Sequence, residues 1–222
     1  MAATTRIAPA TRQGLGLDAR EHRTLARLHT PQAIQAFVNA LPANHELGGE
    51  TILSVREVLR QRRAHCIEAA FVAACALWLH GERPLVLHLD CDPCDFPHVV
   101  ALYRRRGCWG AISKSNGAVL RYRDPVYRTL RELALSYFHE YFDRRGKKTL
   151  RSYSDAFDLR RVDPASWITQ PQACRTVHDR LAALRHHALV DAGQRRLLAR
   201  RDRFERKAAR FVEHPRPPRA TP

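Results

Sequence analysis

Of the six cysteines in this 222-residue chain, Cys66, Cys75, Cys91, Cys94, Cys108 and Cys174, one stands where a thiol becomes a nucleophile. Cys66 opens the run CIEAAFVAACALWLH, which is apolar on nearly every side, as in a helix buried at the centre of a domain, and Gly81 follows as a stop. In the first turn a thiol meets unpaired amides and the positive end of the helix dipole, which lower its pKa from the usual ~8.5. Cys75, deep in the same run, reads as packing. A reactive thiolate also needs a base, and His98 is the best placed of the 12 histidines. It opens HVVALY directly after the loop DCDPCDFP. A helix-start cysteine facing a strand histidine is the arrangement of nucleophilic acyl transfer. The plain alternatives are a small buried residue that happens to begin a helix and a hydrogen-bonded core histidine.

The same loop supports a rival chemistry. Cys91, Cys94, His98 and Cys108 are four soft ligands at spacings zinc accepts, although Pro93 and Pro97 stiffen the loop and Cys108 returns only through a hairpin. As a redox pair, CDPC lacks the following helix that lowers the first thiol's pKa. With Cys66 and His98 as nucleophile and base, no cofactor or metal is required, because a histidine serving as general base does not also hold a structural ion.

These residues need elements to position them. Thr30-Pro31 begins a helix over 31–41, Ser54 and Glu57 have capping-box spacing for a short helix to about residue 62, and the central helix spans 66–80. After Pro84 the period changes: LVLHLD, HVVALY, WGAIS and AVLRYR read as four short strands separated by turn signals, with Asp124-Pro125 ending the last. Helical spacing returns over 127–142. Residues 144–172 are poorly patterned, and 173–190 and 192–212 read as arginine-rich helices. The expected class is therefore α+β, a Cys-bearing helix on an antiparallel sheet, with a mobile arm over 1–30, a central domain over 31–143, a basic and mainly helical extension over 144–212, and a disordered proline-rich tail over 213–222.

The stretches LPANHELGGETILSVREVL, RAHCIEAAFVAACAL and DFPHVVALYRRRGCWGAISKSN resemble the transglutaminase-like superfamily of papain-related enzymes, in its bacterial, largely uncharacterised branch. The likeness covers about residues 31–143. It implies a transglutaminase/papain-like core, Cys66 as nucleophile, His98 as base, and Trp109 where the family often places a tryptophan ahead of its third catalytic residue. The family commonly has an aspartate at the position that Ser113 occupies here. Asn116 is the favoured replacement, since papain-like enzymes orient the histidine with an asparagine amide, and Asp124 is the alternative. The implied activity is acyl transfer or amide or ester hydrolysis through a thioester, on a protein or small-molecule substrate.

Charge points elsewhere. The chain carries 38 Lys plus Arg against 22 Asp plus Glu, a net +16, and the excess is uneven: residues 31–143 hold 13 basic and 12 acidic groups, residues 144–222 hold 20 and 8. A second function class is thus a non-catalytic basic adaptor, with weak, sequence-independent nucleic-acid binding through the arginines between Arg195 and Arg210. No base-reading motif accompanies them. The longest apolar run falls short of the roughly 18 residues of a membrane span, and the N-terminus has no secretory apolar core. A cytoplasmic protein with no membrane partner is expected.

Overall fold

The computed structural model describes residues 6–217. Residues 1–5 of the expected arm and 218–222 of the expected tail lie outside them.

At the centre is α4 (Cys66–Leu79), whose residues from Ile67 to Leu77 are all buried. Around it pack α1 (Ala19–Ala26), α2 (Pro31–Asn39) and α3 (Val55–Gln61). Local chemistry sets their ends. Thr30 Oγ1 accepts from the Ala33 amide at 3.1 Å ahead of Pro31, the arrangement that starts α2. Ser54 Oγ accepts from the Glu57 amide at 3.4 Å, but the reciprocal half of the expected capping box is absent, because the Glu57 carboxylate turns to Arg60 and Gln61. Arg62, in the left-handed region at φ 54°, terminates α3.

The sheet has seven strands, β1 (Leu85–Cys91), β2 (His98–Arg105), β3 (Cys108–Ile112), β4 (Arg123–Tyr127), β5 (Leu150–Ser154), β6 (Phe157–Asp158) and β7 (His186–Ala188). Its order is β4-β3-β2-β1-β5-β7, with β6 also beside β1, and every pairing is antiparallel. Alternate residues feed two cores. Val86, Val99, Ala101, Tyr103 and Ile112 join α4; Leu87, Leu89, Val100, Leu102 and Ala111 meet Leu133, Ala134 and Tyr137 of the segment that begins with α5 (Leu130–Ser136). With both faces covered, β1 and β2 read as continuous apolar runs. Arg106 and Gly107, both at positive φ, form the two-residue turn between β2 and β3. The class is α+β, as expected.

Several boundaries differ from expectation. Only Arg123 of AVLRYR lies in a strand; the rest is loop, with Leu120 at φ 60°, and β4 runs through Asp124-Pro125. An edge strand tolerates proline because one side of it needs no ladder amide. The stretch expected as an arm is packed: Leu15, Leu17 and Leu25 are buried, and Asp18 and Glu21 form a capping box at α1. The stretch expected as a helical extension belongs to the core. It supplies β5, β6 and β7, and α6 (Ala165–Ile168) places Trp167, fully buried, in a stack on Trp78 with ring centroids 6.4 Å apart. α7 (Arg175–Ala182) adds buried Val177 and Leu181. The helix expected over 173–190 gives way to β7, and that over 192–212 is two short pieces, α8 (Ala192–Leu197) and α9 (Arg203–Ala208). Val212, the last residue of the expected extension, and residues 213–214, the first of the expected disordered tail, are held against Gly117 and Asn116. Among the described residues no helix is long and apolar enough to cross a membrane.

Candidate active site

Where α4 begins and β2 begins, a cavity of about 470 Å³ opens, and its lining includes His65, Cys66, His98, Lys114, Asn116 and Tyr141. Cys66 is half-buried. Its position in the first turn of α4 leaves its own amide outside the intrahelical ladder. Burial alone would push the thiol up, but the charge of His98 and hydrogen bonding to His65 and His98 outweigh it and hold the thiol well below its ordinary value.

His98 is buried and oriented by a serine. Its Nε2 lies 2.8 Å from Ser113 Oγ, and that hydroxyl donates its one proton to the Leu120 carbonyl at 2.6 Å. Ser113 must therefore accept from His98, which places the proton on Nε2 and the lone pair of the neutral ring on Nδ1. Such a ring is a base at the nitrogen that Ser113 does not occupy. Ser113 is itself clamped from α2: Gln35 Nε2 donates to its carbonyl at 2.7 Å, and Gln35 Oε1 accepts from its amide at 2.9 Å. Glu140 completes the support by accepting from the Leu120 amide at 2.6 Å.

A second histidine attends the sulfur. His65, the residue before α4, has Nδ1 3.9 Å from Cys66 Sγ and Nε2 3.3 Å from both Glu46 Oε1 and Glu68 Oε1. Burial opposes its protonation, yet Cys66, Glu46 and Glu68 together outweigh it and favour the imidazolium, raising the ring above the ordinary imidazole range. Its proton holds the Glu46 carboxyl down at about 2. Glu68, 0% exposed, accepts from Asn44 Nδ2, Thr51 Oγ1, and the Leu53 and His65 amides. Burial would raise it, but His65 and these donors lower it. Residues 43–44 and 64 are tied by an Ala43–Ala64 bridge, so the loop bearing Glu46 is fixed beside Cys66.

The structure brings Cys66 and His98 together as the sequence led one to expect, and it does not bring Asn116 or Asp124 to them as orienting groups. Asn116 Nδ2 donates to the His214 carbonyl at 2.9 Å and its Oδ1 accepts from the His214 amide at 2.8 Å. Both ends of the amide are spent. Asp124 is exposed on β4. The serine in the register position takes the orienting role geometrically. His65, Glu46 and Glu68 escaped the sequence reading, although the pair His65 and Glu68 has the three-residue spacing at a helix start that marks a cap.

The proposed zinc set does not assemble. His98 begins β2, whereas Cys108 pairs with Arg105 at the other end of that strand, about 23 Å away along an extended chain. Cys94 is exposed, and burial pushes Cys91 up to about 12. Among the described residues, the His, Cys, Asp and Glu atoms close enough to share an ion belong to Glu46, His65 and Glu68. There the protein's own donors already take up the Glu68 oxygens.

Arg195 and Arg210 bound a basic segment whose α8 and α9 have no buried residue. Comparison with models of known protein families gives no match, and comparison with curated proteins gives none either, so the site is read from its own geometry.

Proposed function

We propose that the protein is a thiol-dependent acyltransferase or hydrolase of transglutaminase-like, papain-related type, working on an amide or ester of a protein or small molecule through a thioester. The observation that carries this reading is the Ser113 contact, which fixes one His98 proton on Nε2 and leaves Nδ1 to take the proton of the Cys66 thiol, whose depressed value is that of a thiolate facing the resulting imidazolium.

His98 takes the thiol proton, and the thiolate attacks the carbonyl carbon. The carbonyl π electrons move to oxygen, where the first-turn amides of α4 stabilise the oxyanion. The intermediate collapses with cleavage of the carbon–nitrogen or carbon–oxygen bond, the leaving group taking the proton from His98. Water or an amine then attacks the thioester, giving its proton to His98, which returns it to the departing sulfur. His65 stays protonated throughout and offsets charge at sulfur. No residue in this cycle needs a cofactor. A basic adaptor would have no use for a thiol held down by two histidines.

The test is exposure to p-nitrophenyl acetate. One equivalent of nitrophenolate per chain should appear in a burst, with a single acetyl group on Cys66, and Cys66→Ser should abolish both. Acetylation spread over lysines, equal in the Ser variant, would sink the reading.

A further inference from the structure

Beside the thiol cavity lies a second one of about 430 Å³, and the two share Phe142 and Ala209 as walls. The rest of its lining is Asp143, Arg144, Arg206 and Arg210. Several arginines at other sites are paired with carboxylates, as in Arg56 with Glu21, Arg105 with Glu82, Arg123 with Glu140 and Arg151 with Asp92. Those around this cavity are not. Among the described residues none of the three arginines has a carboxylate partner; Arg206 Nε reaches only the Asp202 carbonyl at 3.2 Å. The one acid on the wall, Asp143, directs Oδ1 at the Arg145 and Lys147 amides. The basic cleft around Lys147 and Arg151 contrasts with it, because Asp92 sits inside that cleft and pairs with both.

We infer that this cavity receives a phosphate-bearing group of the substrate, whose acyl carbonyl lies at Cys66. The inference rests on the thiol reading above and names the substrate class for it: an amide or ester carrying phosphate beyond the scissile bond. Guanidinium forks match phosphate oxygens in pairs, and a concave wall with three arginines against one aspartate is net positive and concentrates anions. A concave pocket that shares two walls with the thiol cavity fits a compact anion tethered to the reacting group. It does not fit an extended polynucleotide, which would need a continuous basic track.

The test uses the full chain and sodium tripolyphosphate as probe, at constant ionic strength. Calorimetry should show one tripolyphosphate per chain, and the anion, held by charge-assisted contacts in a cavity that shares Phe142 and Ala209 with that of the thiol, should slow iodoacetamide alkylation of Cys66 by about fivefold or more. In Arg144→Gln/Arg206→Gln/Arg210→Gln both effects should vanish while alkylation without anion stays at the wild-type rate, which also reports that the site is folded. Cys66→Ser should still bind the probe, so a failed catalytic reading and a failed anion site give different results. Absence of binding, binding unchanged in the triple variant, or binding without protection of Cys66 overturns the inference. So does a single-stranded oligonucleotide that binds more tightly than tripolyphosphate through the same arginines without slowing alkylation.

Discussion

His65 Nδ1 stands 3.9 Å from the sulfur of Cys66, while the far nitrogen of the same ring is 3.3 Å from two carboxylates, Glu46 and Glu68. A half-buried histidine, its protonated form favoured by both carboxylates, is thereby fixed beside the thiol. His65→Gln should move the inflection of the iodoacetamide rate upward by about 1 to 3 pH units, since an opposite charge at this range favours the thiolate. Glu46→Gln should move it the same way by less. An unchanged inflection in His65→Gln would mean that His98 alone sets the thiol.

Ser113→Ala removes the acceptor for His98 Nε2–H. Loss of one hydrogen bond of about 1 to 1.5 kcal/mol corresponds to roughly a tenfold fall in turnover. Asn116→Ala should leave turnover of p-nitrophenyl acetate within about twofold, because it touches His214 and not His98. A larger loss in Asn116→Ala than in Ser113→Ala would restore asparagine as the orienting residue.

Labelling should separate the thiols by environment. Cys66, held low, should react near pH 6 ahead of Cys91 and Cys174, each pushed up to about 12 by burial, and ahead of Cys75, buried and raised. Peptide mapping after brief alkylation reads the order, and simultaneous labelling of all four would contradict it.

Acid should weaken the fold through Glu46. Its folded value is about 2 against an ordinary 4.5, so the stabilisation is present above about pH 4.5 and is lost as pH falls toward 2. The raised His65 has the opposite sign: its contribution is complete below the ordinary imidazole value of 6.5 and is lost only in strong alkali. Melting temperatures from pH 6 to 2 should fall less steeply in Glu46→Gln than in the wild type.

Ending the chain at Asp143 should abolish cooperative unfolding, because β1 would lose β5 and β6 and the central helix would lose Trp167. Trp167→Ala in the full chain should cost about 3 to 5 kcal/mol, measured by denaturant titration. A truncated chain that melts cooperatively would refute this.

Much of the arrangement is written locally. A helix apolar on nearly every side from Cys66, the Thr30-Pro31 start and the period change after Pro84 are signals within a dozen or so residues, and each marks an element that is present. What was not legible depends on partners distant in sequence. Ser113 orients His98 only because Gln35, 78 residues earlier, clamps its backbone. β5 and β7 carry arginine and histidine, so they lack strand patterning, and they form by pairing with β1 and with each other. Asn116 looked free to reach the histidine until residues 212–214 claimed it. Charge was equally deceptive: arginine density suggested an appendage, while Trp167, Cys174 and Leu181 in the same third are core.

β1 takes β2 on one edge and β5 and β6 on the other, and this has a bearing on biosynthesis. Cys66, His98 and Ser113 all leave the ribosome before Leu150 does. These residues are thus complete while the β1 edge that receives β5 and β6 is still open. Closure waits on pairing across some sixty residues, which is slow compared with the β2–β3 hairpin. In that interval Cys66 belongs to a chain with an unfinished sheet, a species exposed to thiol oxidation and to edge-to-edge association.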